Sequence, residues 1–80
     1  MTVTVRLFAS YAERLGRSLI KLDLPAGSTV SDALKSVSRL PGASSLPPRP
    51  LVAVNLSYAK ADMVLSSGDE VAIIPPVAGG

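Results

Sequence analysis

The chain begins with an alternation of apolar and polar residues that predicts a β-strand over residues 2–8. Val3, Val5 and Leu7 share one face of this strand, and Phe8 lies on the opposite face. Alternating or short apolar runs predict further strands over residues 18–24, 51–54 and 70–74, with a brief edge strand within residues 55–58. The chain is therefore expected to form a β-sheet with one buried face.

Helical spacing of apolar residues from Val30 to Leu40 predicts the main helix, for which Ser28 or Thr29 is the expected N-cap. The nearly all-apolar segment 51–54 is expected to be buried, either on both faces or against this helix. A chain of 80 residues is long enough for one compact domain and too short for two. We therefore expect the whole chain, residues 1–80, to form a single domain.

Two shorter segments between the strands carry local signals. Residues 10–15 fit one or two helical turns, with Ser10 as N-cap, Glu13 as its capping-box partner and Gly16 as the C-terminal stop. The segment 41–50 contains four prolines. Because proline lacks an N–H donor, this segment is expected to be a connecting loop without regular hydrogen bonding.

The predicted order is strand, short helix, strand, long helix and then three strands, of which the middle one is short. Two strands before the main helix and the rest after it resemble the β-grasp arrangement of ubiquitin-like proteins, in which the first and last strands lie parallel at the centre of the sheet. The expected fold is α+β. It is a mixed sheet of four or five strands with one main helix packed on one face and a flexible C-terminal Gly-Gly tail.

Composition excludes most side-chain catalysis. The chain has no cysteine and no histidine, which removes thiolate nucleophiles, the commonest general base and the usual zinc ligands, so no metal site is expected. The net charge is only +2, the basic residues are scattered and aromatic residues are few, so no nucleic-acid partner is expected. Without a signal sequence or an apolar run of roughly 20 residues, a cytoplasmic protein with no membrane partner is expected.

The chain ends in a segment of decreasing bulk, which we call the tail: Pro75, Pro76, Val77, Ala78, Gly79 and Gly80. Since prolines fix φ and lack N–H donors, the tail is expected to leave the sheet as an extended stalk that reaches about 20 Å at most. A terminal glycine leaves its carboxylate open to close approach. A bare carboxylate needs activation, however, and no phosphate-binding loop is present. Taken alone, two terminal glycines are more typical of a frayed end.

The wider context changes this interpretation. Residues 68–80, GDEVAIIPPVAGG, closely resemble the ending of molybdopterin synthase small subunits, members of the MoaD/ThiS sulfur-carrier family. Supporting similarity runs through residues 5–9, 12–16 and 52–55. The resemblance implies a sulfur carrier of molybdenum-cofactor synthesis. In that role Gly80, preceded by Gly79, is adenylated, converted to a thiocarboxylate and inserted into the large synthase subunit, where it gives sulfur to a pyranopterin precursor.

The resemblance also implies the partners, which are the large subunit of molybdopterin synthase and an ATP-dependent adenylating enzyme. The chain itself would be a non-catalytic subunit of the heteromeric sulfurtransferase. It would bind no cofactor, carry a C-terminal thiocarboxylate and leave the use of ATP to the adenylating enzyme. Two alternatives share the fold. One is a carrier that feeds thiamine, tungsten-cofactor or another sulfur pathway, and the other is a ubiquitin-like binding module whose terminus does no chemistry.

Strand pattern and resemblance together predict where the partners bind. Phe8 and Ile74 are expected on the sheet face opposite the helix and beside the tail. An exposed apolar patch at this place indicates an interaction surface. The family has apolar partner contacts at the positions of Phe8, Tyr58 and Ile74, which we call the docking patch. Four tail residues are expected to contact the partner as well: Pro75, Pro76, Val77 and Ala78. The alternative is that a loop or the chain's own edge covers the patch.

Two details near the last strands bear on this site. Asp69 and Glu70 are adjacent strand residues that point to opposite faces, so they are not expected to act as a carboxylate pair. Asp69 is expected instead to bond to N–H groups of a turn. Asn55 is followed by Leu56 rather than by the glycine of an Asn-Gly hairpin, so either a different turn or a bulge is expected there.

Overall fold

The computed structural model describes residues 1–47 and 50–75 of the chain. Five strands form one sheet, and their bounds are β1 Thr2–Leu7, β2 Leu19–Asp23, β3 Leu51–Val54, β4 Ser57–Tyr58 and β5 Glu70–Ile74. The strands lie in the order β2-β1-β5-β3-β4. The first and the last strand therefore occupy neighbouring positions inside the sheet, while the two-residue β4 forms one edge.

Strands β1 and β5 pair in parallel, with Val5 opposite Val71 and Leu7 opposite Ile73. The remaining pairs, β1 with β2, β3 with β5 and β3 with β4, are antiparallel. A parallel pair cannot be joined by a tight turn, and here the whole of the chain between β1 and β5 forms the connection. This is the β-grasp topology of ubiquitin-like proteins, so the predicted α+β class and the mixed sheet are confirmed.

Two α-helices pack with this sheet: α1 spans Ala9–Leu15 and the main helix, α2, spans Val30–Ser38. Thr29 caps α2 as predicted, because its Oγ1 accepts the backbone N–H of Asp32 at 3.3 Å. The carboxylate of Asp32 in turn accepts the backbone N–H of Thr29 at 2.8 Å, which completes a capping box. The predicted end of α2 at Leu40 is two residues beyond the observed end at Ser38. After Ser38 the backbone N–H groups bond to carbonyls three residues earlier, as in a 3-10 turn, instead of four residues earlier.

The prediction that Ser10 caps α1 is wrong. The N-cap is Phe8, which has an extended backbone and no side-chain cap, and Ala9 turns the chain into the helix with a left-handed φ of 47°. Because this turn follows β1 immediately, Ser10 falls within the helix. The predicted end is confirmed, since Gly16 closes α1 with a φ of 75° and its N–H bonds to the carbonyl of Ala12.

The segment 41–50 is not wholly irregular, contrary to the prediction. A 3-10 helix spans Ala43–Ser45, and Ala43 is buried. The prolines of the segment lie outside residues 42–46, which leaves enough N–H donors for one such turn. Gly42 precedes the turn with a φ of 87° and lies so close to α1 that a Cβ there would overlap the carbonyl oxygen of Arg14.

One face of the sheet, the inner face, packs against α2 and forms the core. The largest fully buried side chains come from β1, β5 and α2, and they are Val3, Val5, Val71, Ile73, Val30 and Val37. The predicted burial of β3 holds for three of its four residues. Leu51 is the exception: it is exposed on the other face of the sheet, which we call the outer face, where it pairs with Ile74.

Candidate docking site

The outer face carries an apolar groove that runs along β5. Three large side chains stand along it with much of their surface in solvent: Phe8 is 42% exposed, Tyr58 76% and Leu56 94%. Among the described residues, the groove is lined by Phe8, Ala53, Leu56, Tyr58, Glu70, Ala72, Ile74 and Pro75. Contiguous exposed apolar surface on a small protein marks an interaction site, so this groove is the candidate functional site.

Strand register explains how the groove residues meet. Tyr58 lies opposite Ala53, and Ala53 lies opposite Ala72, so the three form a row across β4, β3 and β5. The two alanines are small and form a floor between larger side chains. Ile74 ends β5 and Phe8 directly follows β1. Because β1 and β5 are parallel neighbours, these two residues stand at the same end of the central pair.

The predicted docking patch, Phe8, Tyr58 and Ile74, is thus brought together in one groove, and Pro75 lies beside it. Phe8 and Tyr58 are exposed, so no loop of the described chain covers them. The other predicted site residues lie outside the described residues: Pro76, Val77, Ala78, Gly79 and Gly80. The neighbourhood of the patch residues is confirmed, and their role in docking stays a prediction.

The β3–β4 turn contains the most exposed residue of the groove. Asn55 and Leu56 connect Val54 to Ser57, which pair directly, and both have left-handed backbones, with φ of 50° and 73°. Such a two-residue turn favours Asn-Gly, because glycine has no Cβ to oppose positive φ. Although residue 56 is leucine and not glycine, Asn55 and Leu56 form this tight two-residue turn without a bulge. It holds Leu56 in a conformation that costs a non-glycine residue about 1 kcal/mol or more.

Left-handed backbone at non-glycine residues lies near both ends of the groove. In residues 1–47 and 50–75 it occurs at Ala9, Asn55 and Leu56. Ala9 follows Phe8 at the end of β5 that carries Ile74, and the other two form the turn at the end that carries Glu70. Backbone strain persists only where the surrounding structure enforces it, and it often accompanies functional sites.

Asp69 and Glu70 act separately, as predicted. Asp69 accepts the backbone N–H of Ser66 at 2.8 Å and the side-chain amide of Asn55 at 2.9 Å, so it holds a turn. The carboxylate of Glu70 pairs with Nε of Arg6 at 3.0 Å, and both side chains are partly exposed. An exposed pair adds little to stability. It does give the apolar groove a charged border.

Three exposed residues of the outer face were not predicted: Leu19, Leu51 and Leu56. The alternation of β2 could have revealed Leu19, because it falls on the face opposite to Ile20. The exposure of Leu51 depends on its pairing with Ile74, which the sequence pattern does not contain. Treating Asn55 and Leu56 as a two-residue turn would have revealed the third, since such a turn directs its side chains into solvent.

Among the described residues, the titratable lining groups of the groove are Tyr58 and Glu70, and Glu70 is paired with Arg6. Within residues 1–47 and 50–75, no group of three or more carboxylates is placed to hold a metal ion. In the same part of the chain, no helix is long and apolar enough to cross a bilayer.

The β-grasp sheet and the apolar groove beside its last strand place the protein in the class of ubiquitin-like proteins. Within this class the chain belongs to the ThiS family, whose profile matches residues 5–80. The match extends through the tail to Gly80. The predicted resemblance to the sulfur-carrier family is therefore confirmed.

Individual relatives cover nearly the whole chain. The molybdopterin synthase sulfur carrier subunit of Dictyostelium discoideum is 38% identical over 80 residues, which cover 95% of this chain and 93% of the relative. The subunit of the same name from Arabidopsis thaliana is 33% identical over 79 residues, covering 98% and 82%. Among solved structures, SAMP1 from Haloferax volcanii, a small archaeal modifier protein, is similar with a TM-score of 0.88 and 31% identity over 100% of both chains.

Proposed function

We propose that this chain is the sulfur-carrier subunit of a molybdopterin synthase and that the terminal carboxylate of Gly80 carries the sulfur. The observation that carries the proposal is the nearly full-length similarity to two relatives of that name, at 38% and 33% identity. The family match through Gly80 supports it further, since the reacting group lies at that residue. The apolar groove is consistent with the proposal, because a carrier has to be held by other proteins.

The chemistry takes place at the carboxylate of Gly80. A carboxylate oxygen attacks the α-phosphorus of ATP on the adenylating enzyme, and pyrophosphate leaves. A sulfide-level nucleophile then attacks the acyl carbon, and AMP leaves with the former carboxylate oxygen, so that a thiocarboxylate remains. Its sulfur is a stronger nucleophile than a carboxylate oxygen. It attacks a carbon atom of the pyranopterin precursor in the large subunit and displaces an oxygen leaving group from that carbon. Hydrolysis of the resulting thioester then restores the carboxylate of Gly80 and leaves the sulfur on the precursor.

This chain contributes position rather than catalysis. It has no histidine, no cysteine and no phosphate-binding loop, so the partners supply the catalytic groups. Pro75 lies at the end of the groove, and five residues follow it in the sequence. Five residues span at most about 18 Å when extended. Docking of the groove therefore limits where Gly80 can reach and raises its local concentration at the partner's site.

The groove fits a protein partner with an apolar contact surface. Phe8, Tyr58 and Ile74 present apolar area, while the Arg6–Glu70 pair adds complementary charges at the border. We assign this surface to the large subunit of the synthase and, in a separate encounter, to the adenylating enzyme. The chain is a non-catalytic subunit in this scheme, carries no cofactor other than the thiocarboxylate, and works in the cytoplasm.

Deletion of Gly80 tests the proposal. The truncated chain keeps every described residue, so we expect an unchanged circular dichroism spectrum and measurable binding to the large subunit, but no transfer of sulfur to the precursor. A chain extended by one residue beyond Gly80 is the matched variant, since it keeps the glycine and moves the carboxylate, and it should fail as well. Sulfur transfer by either variant at the wild-type rate would refute the carrier mechanism.

The likeness to SAMP1 favours a second candidate function, that of a modifier joined to other proteins. In this case the amine of a lysine, rather than sulfur, attacks the acyl-adenylate, releases AMP and forms an amide. An antibody against the chain would then detect ATP-dependent conjugates of higher mass in an extract of its own cells. Failure to find them in an extract that forms the thiocarboxylate would count against the modifier.

A further inference from the structure

Leu56 is the most exposed of the large apolar residues in the described chain, and its backbone is left-handed with a φ of 73°. Both features are unfavourable in a free protein. Leucine side chains are usually buried, and a Cβ disfavours this region of the backbone map. A glycine would remove both disadvantages, and an asparagine would reduce them.

The fold does not require a leucine at this position. The neighbouring Asn55 has a structural role, because its side chain bonds to the carboxylate of Asp69 and to the backbone N–H of Glu70. Leu56, in contrast, is 94% exposed and takes no part in the core cluster of the described residues. The hairpin thus requires a left-handed backbone at residue 56 but makes no use of its side chain.

The position of Leu56 relative to the tail indicates what covers it. Leu56 lines the groove together with Phe8, Tyr58 and Pro75. Gly80 follows Pro75 by five residues, so it lies at most about 18 Å from this proline along an extended chain. The groove runs along β5 from the turn of Leu56, beside Glu70, to Pro75. A protein that receives Gly80 in a site of its own and covers this groove therefore also covers Leu56. Its surface can bury Leu56 and so recover the free energy that exposure costs the free chain.

We propose that Leu56 is a specificity-determining contact of this carrier, and that its side chain enters an apolar socket on the surface with which the large synthase subunit covers the groove. The inference rests on the proposed function. The large subunit is the fitting occupant, because in the proposed function it holds the carrier while the tail reacts in its site, and burial of an apolar side chain slows dissociation of such a complex. A tight two-residue turn presents the side chain in a fixed position, which reduces the entropy lost on binding.

Three variants of the full chain separate the side chain from the turn. Leu56→Asn removes the apolar side chain and relaxes the backbone, because asparagine tolerates positive φ. Leu56→Met keeps an apolar side chain and the strain. Met63→Ala is the matched control, since it removes another exposed apolar side chain. Met63 lies outside the groove, in the connection after β4, where its carbonyl accepts the N–H of Val30 at the start of α2.

Calorimetric titration into the purified large subunit measures the effect on binding. We expect Leu56→Asn to raise the Kd at least about tenfold, which corresponds to about 1.4 kcal/mol. Leu56→Met and Met63→Ala should change the Kd by less than about threefold. The melting temperature of Leu56→Asn should equal or exceed that of wild type, so that a loss of binding cannot be attributed to unfolding.

Wild-type affinity of Leu56→Asn for the large subunit would overturn the inference. Equal losses in Leu56→Asn and Leu56→Met would overturn it as well, since the apolar character of residue 56 would then not decide the affinity. The same holds if Leu56→Asn weakens binding to the adenylating enzyme alone. A wild-type chain that does not bind the large subunit would overturn the proposed function and this inference with it.

Discussion

The side-chain carbonyl oxygen of Asn55 accepts the backbone N–H of Glu70 at 2.9 Å, and the backbone N–H of Asn55 donates to the carbonyl oxygen of Glu70 at 2.9 Å. This reciprocal pair continues the β3–β5 ladder into the hairpin turn. The turn that carries Leu56 is thereby fixed to the start of β5, and Pro75 follows the end of the same strand. The two ends of the groove are therefore joined by one strand.

We expect Asn55→Ala to lower the free energy of unfolding by about 2 kcal/mol, because it removes two side-chain hydrogen bonds and strains the turn. Asn55→Gly removes the same hydrogen bonds but accommodates the φ of 50°. Its loss should be about half as large. Urea titrations followed by circular dichroism measure both. Wild-type stability of Asn55→Ala would contradict the structural role of this side chain.

Gly42→Ala is expected to destabilise the protein by about 3 kcal/mol or more, because it combines a left-handed backbone with an overlap between the new Cβ and the carbonyl of Arg14. Gly16→Ala is the matched control. Gly16 also has a left-handed φ, of 75°, but nothing lies within 4 Å of the position of its Cβ. Only the conformational cost of about 1 kcal/mol applies there. Similar losses in the two variants, measured by thermal unfolding, would argue against the close packing of residue 42 on α1.

The capping box of α2 predicts a dependence of stability on pH. The backbone N–H of Thr29, and then its hydroxyl, hold the pKa of Asp32 below its ordinary value of 3.8. Because the pKa of Asp32 is lower in the folded chain than in the unfolded chain, its charged carboxylate stabilises the fold at pH values above the ordinary pKa. This contribution is lost as the pH falls through the lowered pKa of the folded chain. Asp32→Asn should therefore be less stable than wild type at pH 7, and the difference should shrink in acid.

Urea unfolding of Asp32→Asn and wild type at a series of pH values measures this difference. Thr29→Ala is the companion variant, and it should cost about 1 kcal/mol at pH 7, because it removes the N-cap oxygen. A difference between Asp32→Asn and wild type that stays constant from neutral pH to pH 2 would show that the carboxylate does not act through its charge.

Phe8→Asp tests the groove as the docking surface. A charge in the groove has to be desolvated when an apolar partner surface covers it, so we expect the Kd for the large subunit to rise at least about tenfold. Leu19→Asp is the matched control, because Leu19 is also exposed on the outer face but does not line the groove. Titration calorimetry compares the two. Equal effects, or a greater effect of Leu19→Asp, would place the docking surface elsewhere on the sheet.

Residue patterns were sufficient for the faces of the main elements and for their bounds to within two residues. Strand β5 lies at residues 70–74 as predicted, because a turn precedes this β-branched run and Pro75 follows it. Alternation also placed Phe8 and Ile74 on the outer face. It could not identify the neighbours of each strand, since an apolar face fits several strand orders. The parallel pairing of β1 with β5 was predicted from the resemblance to the β-grasp and not from the pattern.

The pattern of apolar and polar residues could not predict the local backbone conformation. Ser10 has the residue type of an N-cap, yet the left-handed turn at Ala9 starts α1 earlier. The conformation of Leu56 is unfavourable for leucine and is enforced by hydrogen bonds of Asn55 to residues 14 and 15 positions further along the chain. Such contacts exist only after the sheet has formed. The left-handed backbone of Leu56 could not be predicted for this reason, although a two-residue turn would have indicated that its side chain is exposed.

The sulfur chemistry of Gly80 is tested by the intact mass of the chain after incubation with ATP, a sulfur donor and the cognate adenylating enzyme. We predict a gain in mass equal to the exchange of one oxygen atom for one sulfur atom, located at Gly80 by fragmentation and absent when ATP is omitted. An unchanged mass, with an adenylating enzyme that is active on another carrier, would contradict the proposal that this chain carries sulfur.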